Sequence, residues 1–318
     1  MTKDGLLVIN PRDNVGVTLT ARGEIPAGHK IALRDIDEGE AVIKYGAVIG
    51  RATKPIHAGE WVHTHNLRTH LDEAQTYPYE PKPMEQAPAQ HGTFQGFLRP
   101  DGRVGIRNEI YIIPTVGCVN GICKRLERVS QKLIRGALDG IYALTHPWGC
   151  SQLGQDAANL RELLCSIARN PNAAFVLFVG LGCENNRLCD IREELSDRDN
   201  VAYLTCQEVE DELTEGYRTL CDFADRAAEM SRETVGLEQL CIGLKCGGSD
   251  GFSGLTANPL VGQMSDRLVT CGGRAVLTEV PEMFGAEQRL MNRCRDRETY
   301  ARYCKLITDF RDYYTAQG

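Results

Sequence analysis

The sequence predicts an α/β protein: a small β-rich N-terminal domain, then α/β domains with largely parallel sheets. In the first 72 residues, short Gly-, Val- and Ile-rich runs alternate with turn residues. From Phe97 onward, apolar strands alternate with helical segments of roughly 10 to 20 residues, the pattern of a parallel sheet with crossover helices. Four strand-like runs stop at a small residue or lysine followed by cysteine, at Cys118, Cys150, Cys183 and Cys246. Ligands of an open α/β sheet bind beyond the carboxyl ends of parallel strands. Four polar, cysteine-bearing loops at such ends are therefore expected to face one crevice, which points to an enzyme.

Taken in order, residues 1–72 hold DNVGVTL, HKIALRDI, EAVIKYGAVIG and EWVHTHNL, broken by IPAGH, DEGE and HAGE. Strands this short between such turns suggest a barrel-like β domain. Residues 73–96 carry Pro78, Pro81, Pro83 and Pro88 with little apolar periodicity, as in an extended, exposed linker. A second domain, 97–238, opens on a hairpin-like entry (FLRPDGRVGIRNE) and the strand before Cys118. Then come a helix over NGICKRLERVSQKLIRGAL, the strand DGIYALTH and a helix over QDAANLRELLCSIARN. The strand NAAFVLFVGLG, a helix around DIREELSD, the strand NVAYLTC and a long helix from about Glu208 to Arg232 complete it. Residues 239–318 begin a further α/β domain with CIGLKCGGSDG, helical NPLVGQMSDRLVTCGG and the strand AVLTEV. Helices in GAEQRLMNRCRD and YARYCKLITDFRDYY follow.

At 318 residues the chain is long enough for two or three domains. A net charge of −7 and a pI near 5.6 argue against nucleic acid or an anionic membrane as main partner. The N-terminus has no apolar signal core and no run approaches about 18 apolar residues, so a cytoplasmic address is expected. The 13 cysteines do not fit a secreted disulfide framework at this length and spacing, and no CxxC pair suggests a zinc ribbon. Cys165, Cys221, Cys294 and Cys304 lie in helix-like sequence and are expected to be buried hydrophobes.

Several groups could do chemistry. WVHTHNLRTH contains His63, His65 and His70, and a spacing of two points His63 and His65 the same way on a strand. Such a pair can face a metal or a substrate carboxylate, with Asn66 and Arg68 beside it for carboxylate recognition. His70, toward the linker, fits a solvated strand end better. Cys118, Cys150, Cys183 and Cys246 could ligate a metal or cluster, act as nucleophiles, or fit as small side chains beside glycines that let backbone approach a ligand. Asn120, Ser151, Gln152, Glu184, Asn185, Asn186, Ser249 and Asp250 line those loops with oxygen donors that suit a hard or borderline divalent ion or a polyhydroxylated substrate. Arg103 and Arg107 in RVGIRNE offer a carboxylate anchor or a solvated hairpin; Glu279, Glu282 and Glu287 could bind metal or relay protons. KCGGSDGFSG lacks phosphate-loop spacing and no dinucleotide fingerprint is present, so no nucleotide is expected.

The ordered motifs DNVGV, GHKIALRDI, VIKYGAVIG, VHTHN, GRVGIRNE, PTVGCVN, GCSQLG, GLGCENN, CGGSDGFSGLTANP and LTEVPEMFGAEQ resemble the altronate/galactarate dehydratase family of sugar-acid lyases nearly end to end. The closer likeness is to its altronate dehydratases. The resemblance implies an N-terminal SAF-type β domain followed by two α/β dehydratase domains. It also implies loss of water from a hexonate to give 2-dehydro-3-deoxy-D-gluconate, with a divalent metal, Fe(II) or Mn(II). On that basis His63 and His65 are expected as metal ligands or acid/base groups and Glu184 as a catalytic carboxylate. Cys118, Cys150, Cys183, Cys246, Glu279 and Glu282 are further metal-ligand candidates, and Arg107 would hold the distal substrate end. Members of the family usually continue past the position of Gly318, so the last domain is expected to be incomplete, with open strand edges and exposed apolar surface. A homo-oligomer or a complementing C-terminal segment is the expected partner, beside the small sugar acid. Two alternatives stay open: an iron–sulfur lyase using three of the Gly-Cys thiolates, and a non-catalytic subunit that binds an acid and docks on a partner.

Overall fold

The computed structural model describes residues 2–3, 5–69, 77–82, 91–248 and 251–317. They form two compact units: Met1–Gln90 together with Cys241–Gly318, and His91–Leu240.

The N-terminal part of the first unit consists of β1 (Thr2–Lys3), β2 (Leu6–Leu7), β3 (Val15–Thr18), β4 (Lys30–Ala32), β5 (Ala41–Lys44), β6 (Ala47–Ala52), β7 (Trp61–Val62) and β8 (Leu67–Arg68). All pairings are antiparallel, in a sheet of order β1-β2-β3-β4-β7 and a second of order β5-β6-β8. Val15, Ala32, Ile36, Val42, Ala52, Ile56 and Val62 pack as one buried cluster. The β5–β6 hairpin closes through Tyr45 and Gly46, both left-handed (φ 56° and 79°), which is the geometry a two-residue turn of type I′ requires. The expected β domain is therefore present, as small antiparallel sheets.

The second unit holds β9 (Thr93–Leu98), β10 (Val104–Gly105), β11 (Glu109–Pro114), α1 (Asn120–Ser130), β12 (Gly140–Ala143), α2 (Gly154–Ala168), β13 (Ala173–Gly180), α3 (Leu188–Glu194), β14 (Val201–Thr205), α4 (Glu212–Ala228) and β15 (Glu233–Gly236). Strands β12, β11, β13 and β14 form a parallel sheet in that order. All eight residues of β13 are buried, as a strand covered on both faces demands. Helices α1 and α4 bury Cys123, Leu126, Leu220, Phe223, Ala224 and Ala227 against one face. Helices α2 and α3 bury Leu160, Leu164, Cys165, Ala168, Ile191 and Leu195 against the other. In α4 the stripe Leu220, Phe223, Ala224, Ala227 follows helical period, and Asp211 caps the helix by accepting from Leu213 N (3.0 Å) and Thr214 N (3.1 Å). The chain runs outward from β11 to β12, then crosses back to β13. Ligands of open α/β sheets bind at such a reversal, which here lies beyond the carboxyl ends of β11 and β13.

Back in the first unit, β16 (Cys241–Leu244) pairs in parallel with β17 (Arg274–Leu277) around the crossover α5 (Ala257–Thr270), followed by α6 (Glu287–Met291) and α7 (Arg297–Ala316). Leu260, Met264, Val269, Val276 and Leu277 are each more than half exposed.

The structure corrects several expectations. The four cysteine-ended strands do not share one sheet: β11, β12 and β13 do, whereas β16 pairs only with β17 among the described residues. Strand β9 starts at Thr93, inside the expected linker, because it zips onto β15, an antiparallel strand that the alternating pattern did not suggest. Part of that linker is also held down: Tyr79 packs on Tyr300 (4.8 Å between rings), the Arg311 guanidinium donates to the Tyr77 hydroxyl (2.8 Å), and Tyr300 donates to the Tyr77 carbonyl. The helix expected from Asn120 to Leu138 stops at Ser130 in a 3₁₀ turn, before Gly136 takes φ 57°. Cys165 is buried as expected, but Cys221, Cys294 and Cys304 are only half-buried.

Candidate functional site

Three loops at the carboxyl edge of the parallel sheet are stitched together. The loop after β11 donates from Gly117 N to the Trp148 carbonyl (2.7 Å) in the loop after β12. The loop after β13 reaches the same segment, with Asn185 N donating to the Cys150 carbonyl (3.3 Å) and Asn185 Nδ2 to the Gln152 carbonyl (3.0 Å). The sequence-predicted Cys118, Asn120, Cys150, Ser151, Gln152, Cys183, Glu184, Asn185 and Asn186 are thereby brought to one edge. Cys118, Cys150 and Cys183 are exposed on it.

Glu184 organises this edge. Only 5% exposed, its carboxylate accepts from the Thr115 hydroxyl and Leu181 N (3.1 Å) on one oxygen and from Gly182 N (2.7 Å) on the other. Gly180 leaves room beneath it, since a Cβ there would lie 2.6 Å from Glu184 Oε1 and would push that carboxylate aside. The side chain expected to do acid/base work is thus turned inward and ties the ends of β11 and β13 together.

His146 was missed in the sequence, although it lies within the quoted strand end ALTHPWGC. It is 7% exposed, and its Nε2 sits 2.9 Å from the Pro114 carbonyl. A carbonyl only accepts, so Nε2 carries a proton, and in the neutral tautomer Nδ1 keeps the lone pair. The Asn120 amide donates to the His146 carbonyl (2.8 Å) and Trp148 packs on the ring (5.0 Å). Four buried acceptors on this edge have no donor among the described residues: Asn120 Oδ1, His146 Nδ1, Gln152 Oε1 and Asn186 Oδ1. An unpaired buried acceptor costs about 1–3 kcal/mol, so four on one edge call for an explanation beyond packing. Cys206, after β14, completes the edge; burial first, then Glu212 and Glu184, push its thiol up to about 11.

Arg107 does not join this edge. It lies at the amino ends of the strands, paired with Glu109 (3.0 Å) and Asp139 (3.9 Å), and Arg103 is engaged by Asp101 (2.7 Å).

In the first unit, His63 and His65 flank Trp61, with ring centroids 5.2 and 5.9 Å away. His29 stacks on His63 at 5.6 Å and completes an imidazole face. Burial, then Lys30, His29 and His65, lower the His63 pKa, which favours a neutral imidazole. Asn66 is buried and turned to the backbone, accepting from His63 N (2.9 Å) and donating to the Trp61 carbonyl (2.9 Å); it shapes the turn that presents the histidines. Arg68 is exposed on β8. At the end of β16, Cys246 N donates to Glu279 (3.1 Å), whose carboxylate also meets Lys245 (3.4 Å), while Glu282 is exposed. His70, Ser249 and Asp250 lie outside the described residues.

Among the described residues, no three His, Cys, Asp or Glu side chains come together as a metal-binding group. The candidate donors occur as pairs or as isolated rim thiols, so they do not by themselves fit a complete metal or cluster site. No described helix is long and apolar enough to cross a membrane.

Comparison with known proteins accounts for this arrangement of modules. Residues 9–70 match the altronate/galactarate dehydratase SAF domain, 96–228 the second domain of D-galactarate dehydratase/altronate hydrolase, and 237–318 the D-galactarate/altronate dehydratase C-terminal domain. The chain is similar to altronate dehydratase of Bacillus subtilis, 46% identical over 307 residues, which is 94% of this chain and 61% of that protein. It is equally similar to altronate dehydratase of Escherichia coli, 46% identical over 305 residues, again 94% and 61%. The chain therefore spans about 61% of the length of these relatives. Its N-terminal region is also similar to the (2R)-sulfolactate sulfo-lyase subunit alpha of Paracoccus pantotrophus, 42% identical over 64 residues, which cover 20% of this chain and 96% of that subunit. With all three modules matched in order, the chain belongs to the D-galactarate/altronate dehydratase family.

Proposed function

We propose that this chain has the hydro-lyase activity of its altronate dehydratase relatives and dehydrates an altronate-type hexonate to 2-dehydro-3-deoxy-D-gluconate. The observation that carries this reading is 46% identity to two altronate dehydratases along 94% of the chain.

The reaction removes the proton at C2, beside the carboxylate, and expels the C3 hydroxyl; the enol then tautomerises to the 2-keto acid. That C–H is weakly acidic, so a base must be held against it while donors stabilise the doubly charged acid. A neutral imidazole is the fitting base, and the lowered pKa of His63 favours its neutral form. His65, exposed beside it, is suited to protonate the leaving hydroxyl. Glu184 is given no proton-transfer role; it holds the carboxyl-edge loops of the second unit in register. Dependence on Fe(II) or Mn(II) is proposed with the activity. The described donors form pairs rather than a full set, so no step here runs through the ion.

The test is direct: the chain is incubated with D-altronate and either metal, alone and with the C-terminal segment of a full-length relative, and 2-keto-3-deoxy acid is assayed. Product in either setting supports the proposal; none in both overturns it. A second reading, in which the chain is a binding subunit, draws on the sulfo-lyase alpha subunit, a separate chain almost wholly matched by this N-terminal region. Altronate binding without turnover in either setting favours that alternative.

A further inference from the structure

His29 lies in the motif GHKIALRDI without a second histidine spaced to mark it, yet it is the imidazole most firmly built into the histidine face. Strands β4 and β7 pair antiparallel with Ile31 opposite Trp61 and Lys30 opposite Val62. Alternation along both strands then puts His29 on the face that presents Trp61 and His63. The rings agree: His29 meets Trp61 edge-on at 5.4 Å and stacks on His63 at 5.6 Å. Trp61 Nε1 donates to His29 Nδ1 across 3.2 Å. An indole N–H can only donate, so Nδ1 of His29 must hold its lone pair there. A neutral His29 is thereby locked with its proton on Nε2, as a donor with no lone pair to offer a metal.

The surroundings say what such a donor meets. Among the described residues, the only histidine paired with a carboxylate in the β domain is His57, 3.7 Å from Asp35. His29, His63 and His65 have no acid partner among the described residues, and Lys30 lies close enough to lower the His63 pKa by its charge. Three imidazoles around an indole face, with no acid paired to them among the described residues, make a receptor for a carboxylate whose carbon chain rests on the ring.

We propose that His29 is a substrate-binding residue, its Nε2–H donating to the carboxylate of a hydroxy acid, and that Trp61 is a positioning residue which fixes that tautomer. This rests on reading the chain as a hexonate-binding protein and adds which group of the acid the β domain holds. His63 and His65 are left for proton transfer.

The full chain is labelled with ¹⁵N at histidine and at the tryptophan indoles, and titrated with D-altronate, D-gluconate and the neutral polyol D-glucitol. Only two indole signals exist, from Trp61 and Trp148, and Trp61→Phe assigns them. Two-bond spectra are expected to show His29 with its proton on Nε2. Both acids should shift His29 and the Trp61 indole, and the polyol should not. His29→Leu and Trp61→Phe should each weaken acid binding about tenfold, the scale of one lost hydrogen bond to a charged group. His29→Gln, which returns an N–H near the Nε2 position, should recover most of that loss; unshifted core resonances identify the variants that remain folded. A His29 protonated on Nδ1, equal response to glucitol, or a folded His29→Leu variant that binds as tightly as the parent overturns the proposal. Acid-specific shifts without turnover would sink the proposed activity but leave this inference standing. Turnover indifferent to His29→Leu would do the reverse.

Discussion

Replacing Glu184 by Gln tests whether this carboxylate organises the carboxyl edge of the sheet. The native side chain takes three donors: Thr115 Oγ1 and Leu181 N on one oxygen, Gly182 N on the other. Glutamine can keep its oxygen toward Thr115 and Leu181, but its NH₂ then faces the Gly182 N–H, donor against donor. Two bonds lose their charge assistance, at about 1 kcal/mol each, and one amide loses its partner, at about 1–3 kcal/mol. Gly182 is exposed, so water recovers part of the last term. The expected destabilisation is about 2–4 kcal/mol, which shifts a urea midpoint by about 1–2 M for a typical slope. With two units in the chain a global transition is unsafe, so the reporter should be local. In a Trp61→Phe background Trp148, whose carbonyl is bonded to Gly117, is the sole tryptophan and lies in the affected loops. Thr115→Val alone should cost about 1.5–3 kcal/mol, and much less on top of Glu184→Gln, because both remove the same bond. A Glu184→Gln midpoint within about 0.2 M of its parent, or full additivity with Thr115→Val, would refute the organising role.

Thiol reactivity should divide the cysteines by burial. Brief alkylation of the native chain, read by peptide mass spectrometry, should modify exposed Cys118, Cys150 and Cys183 and spare Cys123 and Cys165, whose thiols burial pushes up to about 12. Asp101 is held down at about 2 by its hydrogen bonds to Arg103, with Arg198 adding charge. Its contribution is present above the ordinary value of 3.8 and is lost as pH falls through about 2. Asp101→Asn should therefore flatten the acid limb of stability between those values in a urea series, by a modest amount because the pair is partly exposed and screened. Tyr300→Phe removes the donor that holds the Tyr77 carbonyl, and limited chymotryptic digestion should then cut faster after Tyr79. An unchanged cleavage rate would mean that the ring contacts suffice.

The legibility of this chain follows from the range of its signals. Period-two and period-3.6 patterns are local, so β11, β13, α2 and α4 can be read directly. The eight buried residues of β13 form an unbroken apolar run, and Leu220 through Ala227 form a helical stripe. Pairing is not local. That β9 joins β15 across 135 or more residues, and that β16 lies apart from β11, depends on which edges meet in space; neither is encoded in either strand alone.

The site divides along the same line. Cys118, Cys150 and Cys183 advertise themselves because each ends an apolar run, and position at a strand end is a property of neighbouring residues. What each side chain does there is decided by partners far away in sequence. Glu184 is turned inward by Thr115, 69 residues earlier. His146 has its tautomer set by Pro114, 32 residues earlier. His29 is set by Trp61, 32 residues later. In the two histidines the partner occupies one ring nitrogen and so decides what the other can offer. A lone histidine in a sequence carries no trace of that choice. Even the pair His63 and His65, whose spacing suggests a shared strand face, lies instead in the turn between β7 and β8, where Trp61 and Asn66 set how the rings are presented. The residues easiest to find are therefore those grouped along the chain, and those whose chemistry is most tightly specified are the ones that long-range pairing assembles.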